Sequence, residues 1–388
     1  MAYRFSFYYA AIFLAVGIHL PFWPAWLKHR GLDAAEISLI LSIGVWIRAF
    51  ANPFIAHFAD KSGAHRKIIL ISAAGGVATY ALFGLADGFW QLFVVNILAS
   101  AMFMALIPLG ENLATRSAAA YGFDYGRVRL WGSITFILAA YAAGWVVQRS
   151  GDAAILWMMI ASLAAAFFAG FGLPLRRPGR SETGDAEDPV SAAVRIPAFA
   201  LLRQRHFLVF MAAVSLLQSS HAVLYVFGTI HWRAAGLADD VIGALWAEGV
   251  IAEIVLFAFS GAVMRRLGPT RLMLLAAGAG IVRWSVLAVS SDLWVLISVQ
   301  WLHGLTFGAA HLAAMQYMLR NVPDRMSASA QSLYSGFAIG LVMGVMMLVT
   351  GGLYEALGGA AFFAMIALSA GGGAVALWLA RVAPQTPS

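Results

Sequence analysis

Arg48, Glu253, Arg283 and His303 stand deep inside long apolar runs of a 388-residue chain. A charge at the bilayer centre costs about 2.5–3.5 kcal/mol even on the lenient insertion scale, so such a residue is by default one that handles an ion, a charged substrate or a proton. Glu248 lies in the same run as Glu253, and His19, His221 and His311 lie in other runs. Each has a plainer alternative. An Arg can pair with a neighbour merely to hold two helices together, and a lone His often only bonds to the next helix. Asn52, Asn96, Gln218 and Gln300 read as interhelical hydrogen-bonding residues of that plainer kind. Trp46 and Trp284 adjoin Arg48 and Arg283, where they could stack on a flat substrate or simply pack. Trp23 and Trp26 read as an interfacial aromatic belt.

The elements that carry these residues are membrane spans. Of the chain, 62% is apolar and 11% charged, against roughly a quarter charged in a soluble protein. Twelve apolar runs can be marked, at 5–27, 36–59, 67–86, 90–115, 127–148, 154–174, 207–230, 241–264, 272–290, 294–318, 329–352 and 360–381. Each is long enough to cross about 30 Å of hydrocarbon, and lipid offers no partner to a free backbone group, so each must be helical. The reading is an all-α membrane protein of twelve transmembrane helices. Residues 1–174 form a first six-helix bundle, 175–206 a cytoplasmic linker and 207–388 a second bundle. The linker begins polar and Pro/Gly-rich, as a tether does; Ser191 to His206 could form an amphipathic helix on the membrane face.

Charge placement sets the orientation. Nineteen of the 25 Lys and Arg fall in loops on the N-terminal side and four in the opposite loops, which predicts that both termini are cytoplasmic. The net charge of +7 is therefore a topology signal, and no nucleic-acid partner is expected. There is no cysteine, hence no disulfide, thiolate metal site or Cys nucleophile. No cofactor or metal is called for. The first run is too long for a signal-peptide core and reads as an uncleaved span.

The chain repeats itself. The loop after the second run is Ala56-His-Phe-Ala-Asp60-Lys61-Ser-Gly63-Ala-His-Arg66, and the loop after the eighth is Gly261-Ala-Val-Met-Arg265-Arg266-Leu-Gly268-Pro-Thr-Arg271, at an offset of 205 residues. Gly63 and Gly268 allow tight turns. Asp60 is expected to face positive charge or a helix N-terminus, such as the start of the eleventh span near Ser327 and Ser329. The same offset carries Arg48 onto Glu253, each about 18 Å deep by helix rise. Repeat-built transporters place their site at that depth, on the seam between halves.

This frame, found twice, resembles the signature loop of the major facilitator superfamily, with Ala56 where Gly is usual and Arg265 where the first copy has Asp60. Asp124-Tyr-Gly-Arg127-Val-Arg129-Leu-Trp-Gly-Ser133, Leu20-Pro-Phe-Trp-Pro-Ala-Trp-Leu27, His221 to Trp232, Arg283-Trp284 and His303 to Met315 resemble the 3-phenylpropionate permease family, related to lactose permease. In lactose permease a helix 4 acid and a helix 5 Arg bind sugar; Glu111 and Arg129 stand here at that spacing, provided the fourth span is long or tilted. Its helix 9 Arg and helix 10 His match Arg283 and His303. Thr306 stands where the proton-carrying Glu would be, so that role is expected to move to Glu253.

The resemblance implies a proton symporter for an aromatic carboxylate such as 3-phenylpropionate, in a bacterial inner membrane, acting as a monomer. Arg48 would clamp the carboxylate, Trp46, Trp284 and Tyr225 would bound the ring, and Glu253, Arg283 and His303 would couple the proton. A sugar or nucleoside symporter is the alternative, through Glu111 and Arg129. Efflux antiport is disfavoured because Gly132 to Gly144 contains no Pro. A membrane enzyme is disfavoured because the acid pair Asp239-Asp240 has no further acids at metal spacing.

Overall fold

Apolar runs without water to bond their backbone can only close it internally, and the computed structural model is helical throughout the residues it describes, 1–175, 199–323 and 326–382. The side chains of residues 53, 56, 60, 199 and 328 also lie outside that description. No strand occurs among the described residues.

The first six helices are α1 (Ala2–His29), α2 (Ala34–Ser62), α3 (His65–Phe83), α4 (Gly88–Tyr121), α5 (Tyr125–Ser150) and α6 (Ala153–Gly170). After a helical turn at Phe199–Leu202 comes α7, in two pieces, Arg205–Ser219 and Ala222–Ala234. Then follow α8 (Asp239–Ala258) and α9 (Ser260–Val289). The next helix, α10, runs through Leu293–Gln300, a π-helical stretch Gly304–Ala309, and Ala310–Asn321. The eleventh, α11, runs through Ser327–Leu333, a π-helical stretch Tyr334–Val342, and Met343–Leu357. Phe362–Val382 is α12.

By length and apolarity alone there are eleven spans, because the last, Ser329–Val382, is one run of 54 residues. At 1.5 Å per residue that run is about 80 Å, more than twice the hydrocarbon thickness. Gly358, at φ 55°, breaks it between α11 and α12, so the described residues hold twelve spans.

Aspartates start many of these helices. Asp33 accepts from the Glu36 N–H while Glu36 accepts from that of Asp33, a reciprocal cap on α2; Asp124 caps α5 and Asp292 caps α10 in simpler fashion. Much of the small supply of acid is thus spent on backbone N–H groups rather than on chemistry. The repeat is visible in the helix starts: Ala34 and Asp239 open α2 and α8 at the offset of 205, so Arg48 and Glu253 occupy the same place in their helices.

The turn after α2 has Gly63 at φ 66°, its N–H bonded to the Ala59 carbonyl at 2.9 Å. The second copy differs from the reading of a loop. Helix resumes at Ser260 and runs through Arg265 and Arg266 as far as Gly268, at φ 69°, where Pro269 restarts it. The Gly-Pro pair is the true breaker. Of the linker, residues 176–198 lie outside the described residues, and with them most of the stretch read as an amphipathic helix.

The chain forms two compact units, Met1–Glu182 with Tyr225–Ala247, and Thr183–Leu224 with Glu248–Ser388. In the first, α1 packs along α5 and α6, α3 along α4 and α6, and α2 along α4. Its core is aromatic. Trp23 and Trp26 stack at 4.6 Å, Phe83 meets Trp23 edge-on at 4.9 Å, and His19 stacks on Trp23 at 5.6 Å. Both tryptophans are fully buried, which corrects the belt reading: i, i+3 placement on a helix packed on both sides turns them inward. The most exposed tryptophans lie instead near the starts of α4, α6 and α10, namely Trp90, Trp157 and Trp294. In the second unit α9 packs against α12 and α10, and α12 against α7.

Gly17 sets the α1–α5 approach. A Cβ there would lie 2.7 Å from the Phe136 carbonyl oxygen and 2.8 Å from the Ala139 Cβ. Gly17→Val should therefore force the two helices apart and cost about 1–3 kcal/mol, read as a lower thermal unfolding midpoint of the detergent-purified protein; an unchanged midpoint would show that the crossing is not tight.

Candidate functional site

The second unit gathers its charged residues at one place. The close approach of α8 and α10 makes this possible: Gly304 faces the Ala252 backbone, where a Cβ would lie 2.7 Å from the carbonyl oxygen, and Gly249 faces the His303 ring. The two helices then meet backbone to backbone, and Glu253 of α8 reaches His303 of α10, with its Oε1 2.8 Å from Nε2.

Arg283 of α9 lies behind this pair, 1% exposed. Its Nη1 donates to His303 Nδ1 at 2.9 Å and to Thr306 Oγ1 at 3.0 Å, and its Nη2 donates to Gln300 Oε1 at 2.6 Å. Guanidinium groups only donate. His303 Nδ1 must therefore be the accepting nitrogen, the ring proton must sit on Nε2, and that proton points at Glu253. The order is Arg283, His303, Glu253, with a cation at one end and a carboxylate at the other. Glu253 is 17% exposed at its side chain, so the carboxylate that ends the chain is less enclosed than the arginine, which is sealed. The π-helical stretch that begins at Gly304 brings Thr306 under Arg283; such stretches are rare and often sit at functional places. Glu248 is near enough to act electrostatically on Arg283.

Also beside this group lies His221, fully buried at the interruption of α7, with Nε2 3.1 Å from Thr306 Oγ1 and its ring 5.5 Å from that of His303. Along α10, Phe307 stacks on His303 at 5.6 Å and on His311 at 6.2 Å, and His311 Nδ1 is 3.1 Å from the Tyr334 hydroxyl. Gln218 donates to the same hydroxyl at 3.2 Å. Trp284 is buried, its indole N–H donating to Ser369 at 3.0 Å and its ring stacked towards Phe362, so its surroundings are those of a packing residue.

The first unit holds the remaining candidates. Arg48 and Trp46 are half-buried on α2, and His19 of α1 lies within reach of the Arg48 charge. Glu111 and Arg129 meet: Arg129 Nε is 3.5 Å from Glu111 Oε1, and the guanidinium lies 4.2 Å over Phe13. The length of α4, 34 residues, brings Glu111 inside the helix rather than leaving it at its edge. Tyr225 stacks towards Trp246 at 6.3 Å. Arg66 sits over Phe171, while the Asp60 side chain lies outside the described residues. Asn96 bonds the Ile40 carbonyl at 2.8 Å, as an interhelical residue should.

Sequence reasoning missed several members. Thr306 was noted only for the acid it replaces; Gln300, read as an interhelical hydrogen-bonding residue, does bond across helices, but to Arg283. Sequence reasoning also missed a cluster at the ends of α6, α7 and α8, where Arg233 donates to Asp152 at 2.7 Å and to Asp239 at 2.5 Å. A signal for Thr306 was available in its i, i+3 spacing from His303, which puts both on one helix face; no pattern in the sequence marks the other two.

A model of the MFS_1-like family matches residues 2–365. The chain is 34% identical to the probable 3-phenylpropionic acid transporter of Escherichia coli K12 over 364 residues, covering 92% of each. It is 31% identical to the maltose permease of Geobacillus stearothermophilus over 356 residues, covering 90% of this chain and 87% of that one. Its fold matches the crystal structure of the nucleoside transporter NupG with a TM-score of 0.84 at 16% identity, covering 98% of both. Spans, repeat and family thus agree: the chain belongs to the MFS_1-like family and is a multi-span membrane transporter of small molecules, not an enzyme.

Proposed function

We propose that this protein is a proton-driven symporter that takes up an aromatic carboxylate of the 3-phenylpropionate kind across a bacterial inner membrane, as a monomer with both termini in the cytoplasm. The observation that carries the reading is the partly exposed Glu253 carboxylate held 2.8 Å from a His303 ring whose other nitrogen faces Arg283. A carboxylate of this kind can exist charged or neutral, and each form changes the balance around a buried cation. The relative named as a probable 3-phenylpropionic acid transporter supports the substrate class.

In this reading Arg48 clamps the substrate carboxylate with two parallel donors. Trp46 and Tyr225 bound the ring, and Trp284 stiffens α9 behind Arg283. Glu253 takes a proton from outside, which removes repulsion toward the incoming anion. Arg283 and His303 govern its release. The two six-helix halves, 1–174 and 207–388, joined by the 175–206 linker, rock around this fixed site, and Asp60, Gly63, Arg66 and Gly268 of the repeated loop secure one conformer.

A second reading has a specific observation in its favour. The Glu111–Arg129 pair over Phe13 resembles a polar-substrate site, and it suits a sugar or nucleoside symporter. A competition panel of aromatic acids against sugars and nucleosides separates the two.

Arg48→Ala should weaken binding of 3-phenylpropionate about 10- to 100-fold, the worth of a charge-assisted bond, measured by thermal stabilisation of the purified protein; unchanged binding would remove Arg48 from the site. Glu253→Gln should keep 3-phenylpropionate exchange across vesicles while losing accumulation driven by a pH gradient. Full accumulation by that variant would falsify the assignment of the proton to Glu253.

A further inference from the structure

The interruption of α7 has an unusual cause. Helices are broken by Pro, by Gly or by a group inserted in the backbone ladder, and residues 216–225 contain neither Pro nor Gly. The inserted group is the side chain of His221. Its backbone N–H bonds the Gln218 carbonyl at 3.2 Å, three residues back, and its ring Nδ1 lies 3.0 Å from the same oxygen. Ser220 Oγ donates to the Leu217 carbonyl at 2.7 Å. Side chains that bond the local backbone in this way compete with the helix.

Donor and acceptor chemistry fixes the direction of the chain of bonds. A carbonyl only accepts, so Nδ1 of His221 carries the ring proton. Nε2 then offers a lone pair, and the Thr306 hydroxyl donates to it at 3.1 Å in preference to the His303 carbonyl at 3.4 Å. With its proton committed, Thr306 Oγ1 accepts from Arg283 Nη1 at 3.0 Å. The bonds therefore run from Arg283 through Thr306 and His221 to the Gln218 carbonyl. His221 and His303, whose rings meet edge-on at 5.5 Å, hold opposite tautomers.

We propose that His221 is a positioning residue for proton-coupled transport: as a neutral imidazole protonated on Nδ1 it acts through Thr306 to keep Arg283 Nη1 turned to His303, and so ties the proton site to the interruption of α7. The charged and titratable groups that face it are Arg283 from α9 and His303 from α10, and Tyr334 of α11 bonds its neighbour Gln218. Glu253 is on the far side of His303. A proton on His221 would set a second cation beside Arg283, so the transported proton does not pass through it. The threonine thus replaces an acid with a hydroxyl that transmits geometry instead of charge. The interruption lies in the part of α7 that belongs to the second compact unit, which extends to Leu224.

The inference rests on the proposed symport only for its transport readout. Nitrogen-15 spectra of histidine-labelled protein in lipid nanodiscs near neutral pH, with the His221 signals assigned by their loss in His221→Gln, should show protonated Nδ1 and bare Nε2. A proton on Nε2, or on both nitrogens, would overturn the proposal. In vesicles, Thr306→Ser keeps the hydroxyl and should retain pH-driven uptake of 3-phenylpropionate within about twofold, whereas Thr306→Val, of equal size, should lower it about tenfold. Equal uptake by the Ser and Val variants would also overturn it. If the wild-type protein takes up no 3-phenylpropionate, the substrate reading fails alone, and the ring-nitrogen spectrum still decides the tautomer.

Discussion

A guanidinium cannot be left bare inside a helix bundle, and the inner layer of the second unit is arranged around that constraint at Arg283. The acceptors His303, Thr306 and Gln300 are neutral, so they hold Nη1 and Nη2 without cancelling the charge. The countercharge stands one residue further out, at Glu253. Removing one partner of a buried pair is far costlier than the pair is stabilising, and separation by a histidine gives an intermediate case. The cation and anion interact through a polarisable ring, and the anion is less enclosed than the cation. An ionisable group at that position can change state without collapse of the packing around Arg283.

That arrangement depends on features with no charge at all. Gly249 and Gly304 let α8 and α10 approach until the Ala252 carbonyl is in contact with the opposite helix. Without that approach Glu253 would not reach His303. The π-helical stretch then rotates Thr306 into line with Arg283. Backbone geometry, small residues and buried polar groups thus belong to one device, and each part is explained by the others.

Much of this was legible in advance. Twelve spans follow from apolar length, and the offset of 205 residues predicted that Arg48 and Glu253 hold equivalent places, which the starts of α2 and α8 reproduce. Helix edges were less legible because a helix carries on past the hydrocarbon wherever no breaker stops it; Ser260 to Leu267 is an example, ending only at Gly268. Trp23 and Trp26 were misread because depth from a span's end says nothing about which face of a helix is packed. The interruption of α7 left no trace in composition, since its cause is a side-chain bond rather than a Pro or Gly. Thr306 was visible as a departure from a resemblance, but its role needs the third dimension: the direction of its hydroxyl depends on His221, 85 residues away.

The central claim is that Glu253 is the group that gains and loses the transported proton. Infrared difference spectroscopy of the protein in lipid, recorded as pH is stepped, reads the carbonyl stretch of a protonated carboxyl directly. The account predicts a carboxyl band that grows as pH falls, responds to 3-phenylpropionate, and is missing in Glu253→Gln. The same band persisting unchanged in that variant would contradict it.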